Sequence, residues 1–167
     1  MYLKKAPDLP DEYLREIGRI VMLWGELEDL LHFALVAALL GTFKRDGRAD
    51  AVFIHMAFPQ KLDALSSMLK IHDDKPHGIA KYYLDRAQPR LKEAQEKRNA
   101  IVHQYWTYNG TNIIRSSRKA RGTLQFWKHE VQLSELHEIS LTIQQAMSAL
   151  YVVVKRLTPK KAEQVGQ

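Results

Sequence analysis

Residues 11–41, DEYLREIGRIVMLWGELEDLLHFALVAALLG, decide the fold. Apolar side chains recur at Tyr13, Ile17, Ile20, Trp24, Leu27, Leu31, Leu35 and Ala38, three or four residues apart, which is the period of one helical face. Pro10, Asp11 and Glu12 supply a helix start with acids in its first turn, and Gly41 supplies a stop. About 30 residues rising 1.5 Å each give a helix roughly 45 Å long. Leu30, Phe33, Val36 and Leu39 widen its apolar face, so the second half is expected to be buried on several sides.

Working outward, the charged stretch Thr42 to Asp50 reads as a loop. A second helix is expected over about Val52 to Ile71, with Phe58, Leu62, Leu65 and Leu69 on its face and a kink or restart at Pro59. His72 to Gly78 is a connector. A third helix runs from about Ile79 to Val102 on the stripe Tyr83, Ala87, Leu91, Ala94 and Ile101, with a bend at Pro89. The pattern then changes to strand formers at Tyr105–Tyr108 and Thr123–Trp127, with Asn109-Gly110 as a turn signal. A basic tip falls at Arg115 to Arg121. Helix resumes at Leu133–Leu136, with Ser134 as the nearest capping residue. Its stripe is Leu136, Ile143, Met147, Leu150, Val154 and Leu157, and Pro159 stops it ahead of a frayed tail. The expected architecture is all-α: an antiparallel four-helix bundle with a short β-hairpin or extended excursion between the third and fourth long helices. It forms a single domain over 1–167, with a core of about 11–157 and flexible ends.

Composition narrows the chemistry. A chain of 167 residues with 46% hydrophobic and 26% charged residues is ordinary globular material for one domain. The absence of cysteine excludes disulfides, thiolate metal sites and cysteine nucleophiles, and fits a reducing compartment. No apolar run reaches the ~18 residues of a membrane span, since Leu30 to Leu40 is interrupted by His32. Met1 to Asp8 carries no apolar signal core. The expectation is a soluble, cytoplasmic protein that does not engage a membrane. Of the formal charge of +6, a net +4 falls between Gln104 and Glu130, where Arg115, Arg118, Lys119, Arg121 and Lys128 face Glu130 alone. Such a patch reads either as a solvated loop or as a footprint for phosphates.

Two charges interrupt the core stripes. Glu28 is four residues after Trp24, and Arg98 is seven after Leu91, so each lies on or beside a buried face. Opposite charges so placed are expected to pair, unless each snorkels to water from the stripe's edge. Asn99 and His103, four apart, share a flank of the third helix beside Arg98. Histidine exchanges protons near neutral pH, and an arginine beside it grips a phosphate through two parallel hydrogen bonds. The cluster His72, Asp73, Asp74 and His77 has loose metal-ligand spacing but lacks a helical template, so it reads as a solvated connector. His129 and His137 have no obvious partners. No glycine-rich phosphate loop or Gly-x-Ser-x-Gly nucleophile turn occurs, and neither a cofactor nor a metal is expected.

Arg98-Asn99-Ala100-Ile101-Val102-His103 resembles the signature of HEPN domains, an arginine and a histidine separated by four to six residues with a polar residue after the arginine. Glu28 behind Trp24 on a long first helix is similar to that family's acidic position. The likeness spans about Asp11 to Leu157, and its sharp part is the short motif. It implies a helical bundle that often dimerises with two motif copies facing each other. Many members are metal-independent endoribonucleases of toxin–antitoxin or other defence systems, while others only bind or scaffold. Carried over, the resemblance makes His103 the general acid/base, Arg98 the phosphate and transition-state ligand, Asn99 an orienting group and Glu28 the residue that positions Arg98. The 2′-hydroxyl of RNA supplies the nucleophile, and the product is a 2′,3′-cyclic phosphate. Tyr105, Trp106 and Tyr108 either pack against the bundle, as alternating aromatics of a hairpin do, or stack on bases, with Arg115, Arg118, Lys119 and Arg121 along the backbone.

Three readings follow. The first is a dimeric HEPN-like endoribonuclease acting on RNA, with an antitoxin protein as a further partner. The second is a non-catalytic HEPN-like module that binds RNA, nucleotide or protein. In the third, a purely structural bundle, Arg98 and Glu28 only set helix register.

Overall fold

The computed structural model describes residues 8–41, 46–72, 78–121 and 123–157, apart from the side chains of 72, 118–121, 123 and 124. The chain is mostly helical and carries one small antiparallel sheet. Helix α1 is Asp11–Leu40, 30 residues long, as its period and end signals indicate. Gly41 ends it in the left-handed region at φ 62°, where its N–H bonds the Ala37 carbonyl. Glu16, Ile20, Trp24, Leu27, Leu31 and Leu35 form its buried stripe, and Ala34 and Val36 to Ala38 join them in the second half.

Helix α2, Gly47–Phe53, replaces part of the loop expected over Thr42 to Asp50; residues 42–45 lie outside the described set. The Asp46 carboxylate accepts the Arg48 backbone N–H at 2.8 Å, a cap that lets a short, glycine-led segment turn helical. The Arg48 guanidinium bonds the same carboxylate and holds it well below the usual carboxylate range. Helix α3, Phe58–His72, starts afresh after a break at 54–57, so Pro59 marks a restart in a first turn, where its missing N–H costs nothing. Its predicted face, Phe58, Leu62, Leu65 and Leu69, is buried.

The third predicted helix is present but subdivided. Helix α4, Ile79–Tyr82, passes through a π-helical turn, Tyr83–Ala87, into α5, Gln88–Val102. The wide turn immediately precedes Pro89, which can neither donate a backbone hydrogen bond nor tolerate a carbonyl four residues behind it. Tyr83 is fully buried there and donates its hydroxyl to the Leu62 carbonyl at 3.0 Å; burial pushes its ionisation up. Helix α6, Leu133–Leu157, begins one residue before Ser134, which is therefore inside the helix and not its cap. α6 packs most extensively against α1 and also against α5, and α1 packs against α3.

The excursion is larger than a hairpin. Strands β1 (Tyr105–Tyr108), β2 (Ile113–Arg121) and β3 (Thr123–Glu130) form a meander in that order. The Asn109-Gly110 turn joins β1 to β2, with Asn109 Oδ1 accepting the N–H groups of Thr111 and Asn112 and Gly110 at φ 93°. The predicted basic tip is instead the body of β2. It lacks the apolar alternation of a half-buried strand because its outer part pairs with a strand exposed throughout 125–130. No helix among the described residues is long and apolar enough to cross a membrane. The connector cluster at 73–77, the N-terminal lead and the tail beyond 157 fall outside the described residues.

Candidate functional site

Leu91, Ala94, Arg98 and Ile101 succeed one another at helical spacing on α5, and all but Arg98 are buried. The stripe thus carries the arginine inward, beside α1. Its Cζ lies 5.3 Å from the ring centroid of Trp24, which is 5% exposed and itself packs on Phe58 with centroids 4.6 Å apart. A guanidinium over an indole face is attracted by the ring's quadrupole, so a charge can sit at the core's edge without a carboxylate. Nη1 of Arg98 donates to Asn99 Oδ1 at 3.2 Å and lies 3.4 Å from His103 Nε2. Its Nε is buried without a hydrogen-bond partner. His103 is exposed and caps α5, with its backbone N–H on the Asn99 carbonyl at 3.3 Å. The helix end therefore gathers Arg98, Asn99 and His103 at one spot, as the spacing implied.

Glu28 does not join them. It is half-buried on α1, and no ion pair between Glu28 and Arg98 forms among the described residues; Trp24, one turn earlier, takes the arginine instead. The expected pair is corrected for a geometric reason. The buried stripe of α1 passes through Leu27 and Leu31, which leaves Glu28 on its shoulder. The buried acid of this helix is Glu16, 6% exposed, four residues before Ile20 on the stripe itself. Its carboxylate accepts from Ser140 Oγ at 2.5 Å and lies 3.4 Å from His137 Nε2. Period alone could have found Glu16, but its partners on α6 required the packing.

The other candidates divide sharply. Tyr105 is 49% exposed on β1. Trp106 is half-buried and donates its indole N–H to the Ile101 carbonyl at 3.0 Å, so it anchors the sheet to the end of α5. Tyr108 is turned to the hairpin, its hydroxyl on the Gly110 carbonyl at 2.9 Å. Arg115 is a clasp: it donates to the Ala100 carbonyl at 3.1 Å and pairs with Glu135 at 3.0 Å, its side chain 15% exposed. His129 reaches the same Glu135 at 2.9 Å. A cavity of about 110 Å³ adjoins this clasp, between Lys97, Ala100, Arg115, Glu135, Glu138 and Ile139. The side chains of Arg118, Lys119 and Arg121 lie outside the description, while their backbone belongs to β2. Among the described residues no three His, Asp or Glu side chains converge as a metal would require.

Comparison with protein-family models, with characterised proteins and with solved structures finds no match to this chain.

Proposed function

We propose that this protein is a HEPN-like, metal-independent endoribonuclease whose helices form the family's bundle, acting as a cytoplasmic homodimer and held in check by an antitoxin protein. The observation that carries the reading is the Arg98–Asn99–His103 cluster at the exposed end of α5. In this mechanism His103 accepts the 2′-hydroxyl proton as that oxygen attacks the adjacent phosphorus. Arg98, oriented by Asn99 and braced on Trp24, neutralises charge on the phosphoryl oxygens. The P–O5′ bond breaks, leaving a 2′,3′-cyclic phosphate and a 5′-hydroxyl, and the departing oxygen takes a proton from a second histidine across the dimer. Glu28 forms no ion pair with Arg98, so the positioning of Arg98 falls to Asn99 and Trp24.

The alternative is a non-catalytic module binding RNA, nucleotide or protein. It is favoured by the internal use of Trp106 and Arg115, two of the residues expected to meet RNA. The two readings separate when mixed RNA is incubated with the protein in EDTA beside His103→Ala and Arg98→Ala. Loss of proton transfer lowers the rate by roughly 10²–10⁴-fold. Comparable loss in both variants supports the nuclease. Absence of cleavage by folded wild-type protein moves the reading to the module, and unchanged cleavage in both variants removes the site.

A further inference from the structure

Helix α1 has a second face that the bundle does not use. Its buried stripe runs through Ile20, Trp24, Leu27 and Leu31. At about 100° per residue, Leu14, Gly18, Val21, Met22 and Gly25 gather on the other side of the helix. Leu14 is 50% exposed, Val21 48% and Met22 68%, and both glycines are exposed. Apolar side chains grouped on one face, unlike single scattered ones, mark a surface that meets something. A glycine inside a helix also lowers its stability relative to alanine. At Gly18 and Gly25 nothing in the protein calls for that cost: neither has a positive φ, and a Cβ on either would meet no atom within 4 Å. What a missing side chain does permit is the close approach of another backbone.

The charges beside this face select the neighbour. Arg15 stands toward its N-terminal end, with Glu28 and Asp29 toward its C-terminal end. Let a second α1 run antiparallel to the first about a two-fold axis midway between the glycines. Gly18 then lies level with Gly25 of the second copy, Val21 with Met22 of the second copy, and Arg15 with Glu28 of the second copy, beside its Asp29. A parallel pair would instead set Arg15 against Arg15 and Asp29 against Asp29.

We infer that a second copy of the chain docks on this face of α1, antiparallel, with the backbones close at the glycines and Val21 and Met22 interlocked between them. The inference rests on the ribonuclease reading for the need of a dimer, and it names the surface through which that dimer forms. The pairing is isologous: the face is its own complement, so it closes as a dimer and does not propagate into a fibre. A helix of another protein would have to bring its own small residues and matching charges, whereas this face carries both.

The test uses the full chain and reads its mass by sedimentation equilibrium over a range of concentrations. Gly18→Leu and Gly25→Leu place side chains where the protein leaves open space, so circular dichroism should show the helices intact. The expected result is a wild-type dimer whose dissociation constant rises roughly tenfold or more in each leucine variant. Arg15→Asp and Asp29→Arg should each weaken association, and the two reversals together should regain part of it, because the pair re-forms with its signs exchanged. A wild type that stays monomeric, as when another protein or another part of the chain covers this face, overturns the inference. So does a dimer indifferent to both leucines. Weakening by the leucines without rescue by the paired reversals overturns the antiparallel arrangement. Cleavage of RNA by a wild type whose dimer the leucines leave intact sinks this surface and spares the nuclease. A dimer that the leucines dissolve, in a protein that never cuts, does the reverse.

Discussion

Arg98 and Arg115 flank the same helix end and do opposite work. Arg115 is enclosed, its guanidinium divided between a carbonyl of the last turn of α5 and Glu135 on α6. A cation at a helix C-terminus also meets the negative end of the helix dipole. Arg115→Ala takes this donor from the Ala100 carbonyl and leaves Glu135 to His129, and we expect a loss of about 1–3 kcal/mol in urea unfolding. A loss within error would contradict its role as a clasp. Arg98 instead sits beside an exposed imidazole, its Nη1 3.4 Å from His103 Nε2. The spacing to Leu91 and Ala94 made its placement legible, because one helical stripe carries all three. Glu28 was misread because a 100° step per residue leaves a position one past Leu27 near the stripe but not on it. Arg115 read as a surface cation because its partners, 15 and 20 residues along the chain, are set by the sheet's docking.

At the scale of elements, the helices were legible where apolar period and end signals agreed, as in α1 and α6. Proline positions marked the restart of α3 and the wide turn before α5, although a π-helical turn has no sequence signature of its own. The sheet was half legible: Asn109-Gly110 and the aromatic strands announced it, but β2 has no apolar alternation and read as a tip. Its attachment runs through a few side chains, Trp106, Ile113 and Arg115 chief among them. Trp106→Phe removes the bond to the Ile101 carbonyl while keeping an aromatic body. Amide exchange in 105–116 is then expected to quicken while the amides of α1 and α6 keep their protection, since weakly tied elements open independently of the core. Parallel loss of protection in α1 would show instead that the sheet is integral to the core.

For the whole molecule, the helices carry the Arg98–His103 end, and the chain's basic segment follows it along the strands. This division predicts binding governed by ionic strength. RNA affinity should fall with rising salt with a log–log slope of roughly −0.7 for each phosphate neutralised. Lys128→Ala should make that slope shallower by about one such contact, read by fluorescence anisotropy of a labelled RNA at several salt concentrations. A slope unchanged by the substitution would remove Lys128 from the interface. The scale of the molecule was also where sequence reasoning stopped: a basic patch is compatible with a solvated loop or with phosphates, and which face each cation occupies depends on strand register.

The central claim is that the Arg98–His103 cluster cuts RNA through the substrate's own 2′-hydroxyl. Mass spectrometry of RNA fragments made in EDTA by wild type, His103→Ala and Arg98→Ala tests it most directly. The account predicts 2′,3′-cyclic phosphate and 5′-hydroxyl ends from wild type and their absence from both variants. Fragments ending in 3′-hydroxyls, or the same cyclic ends from all three proteins, would contradict it.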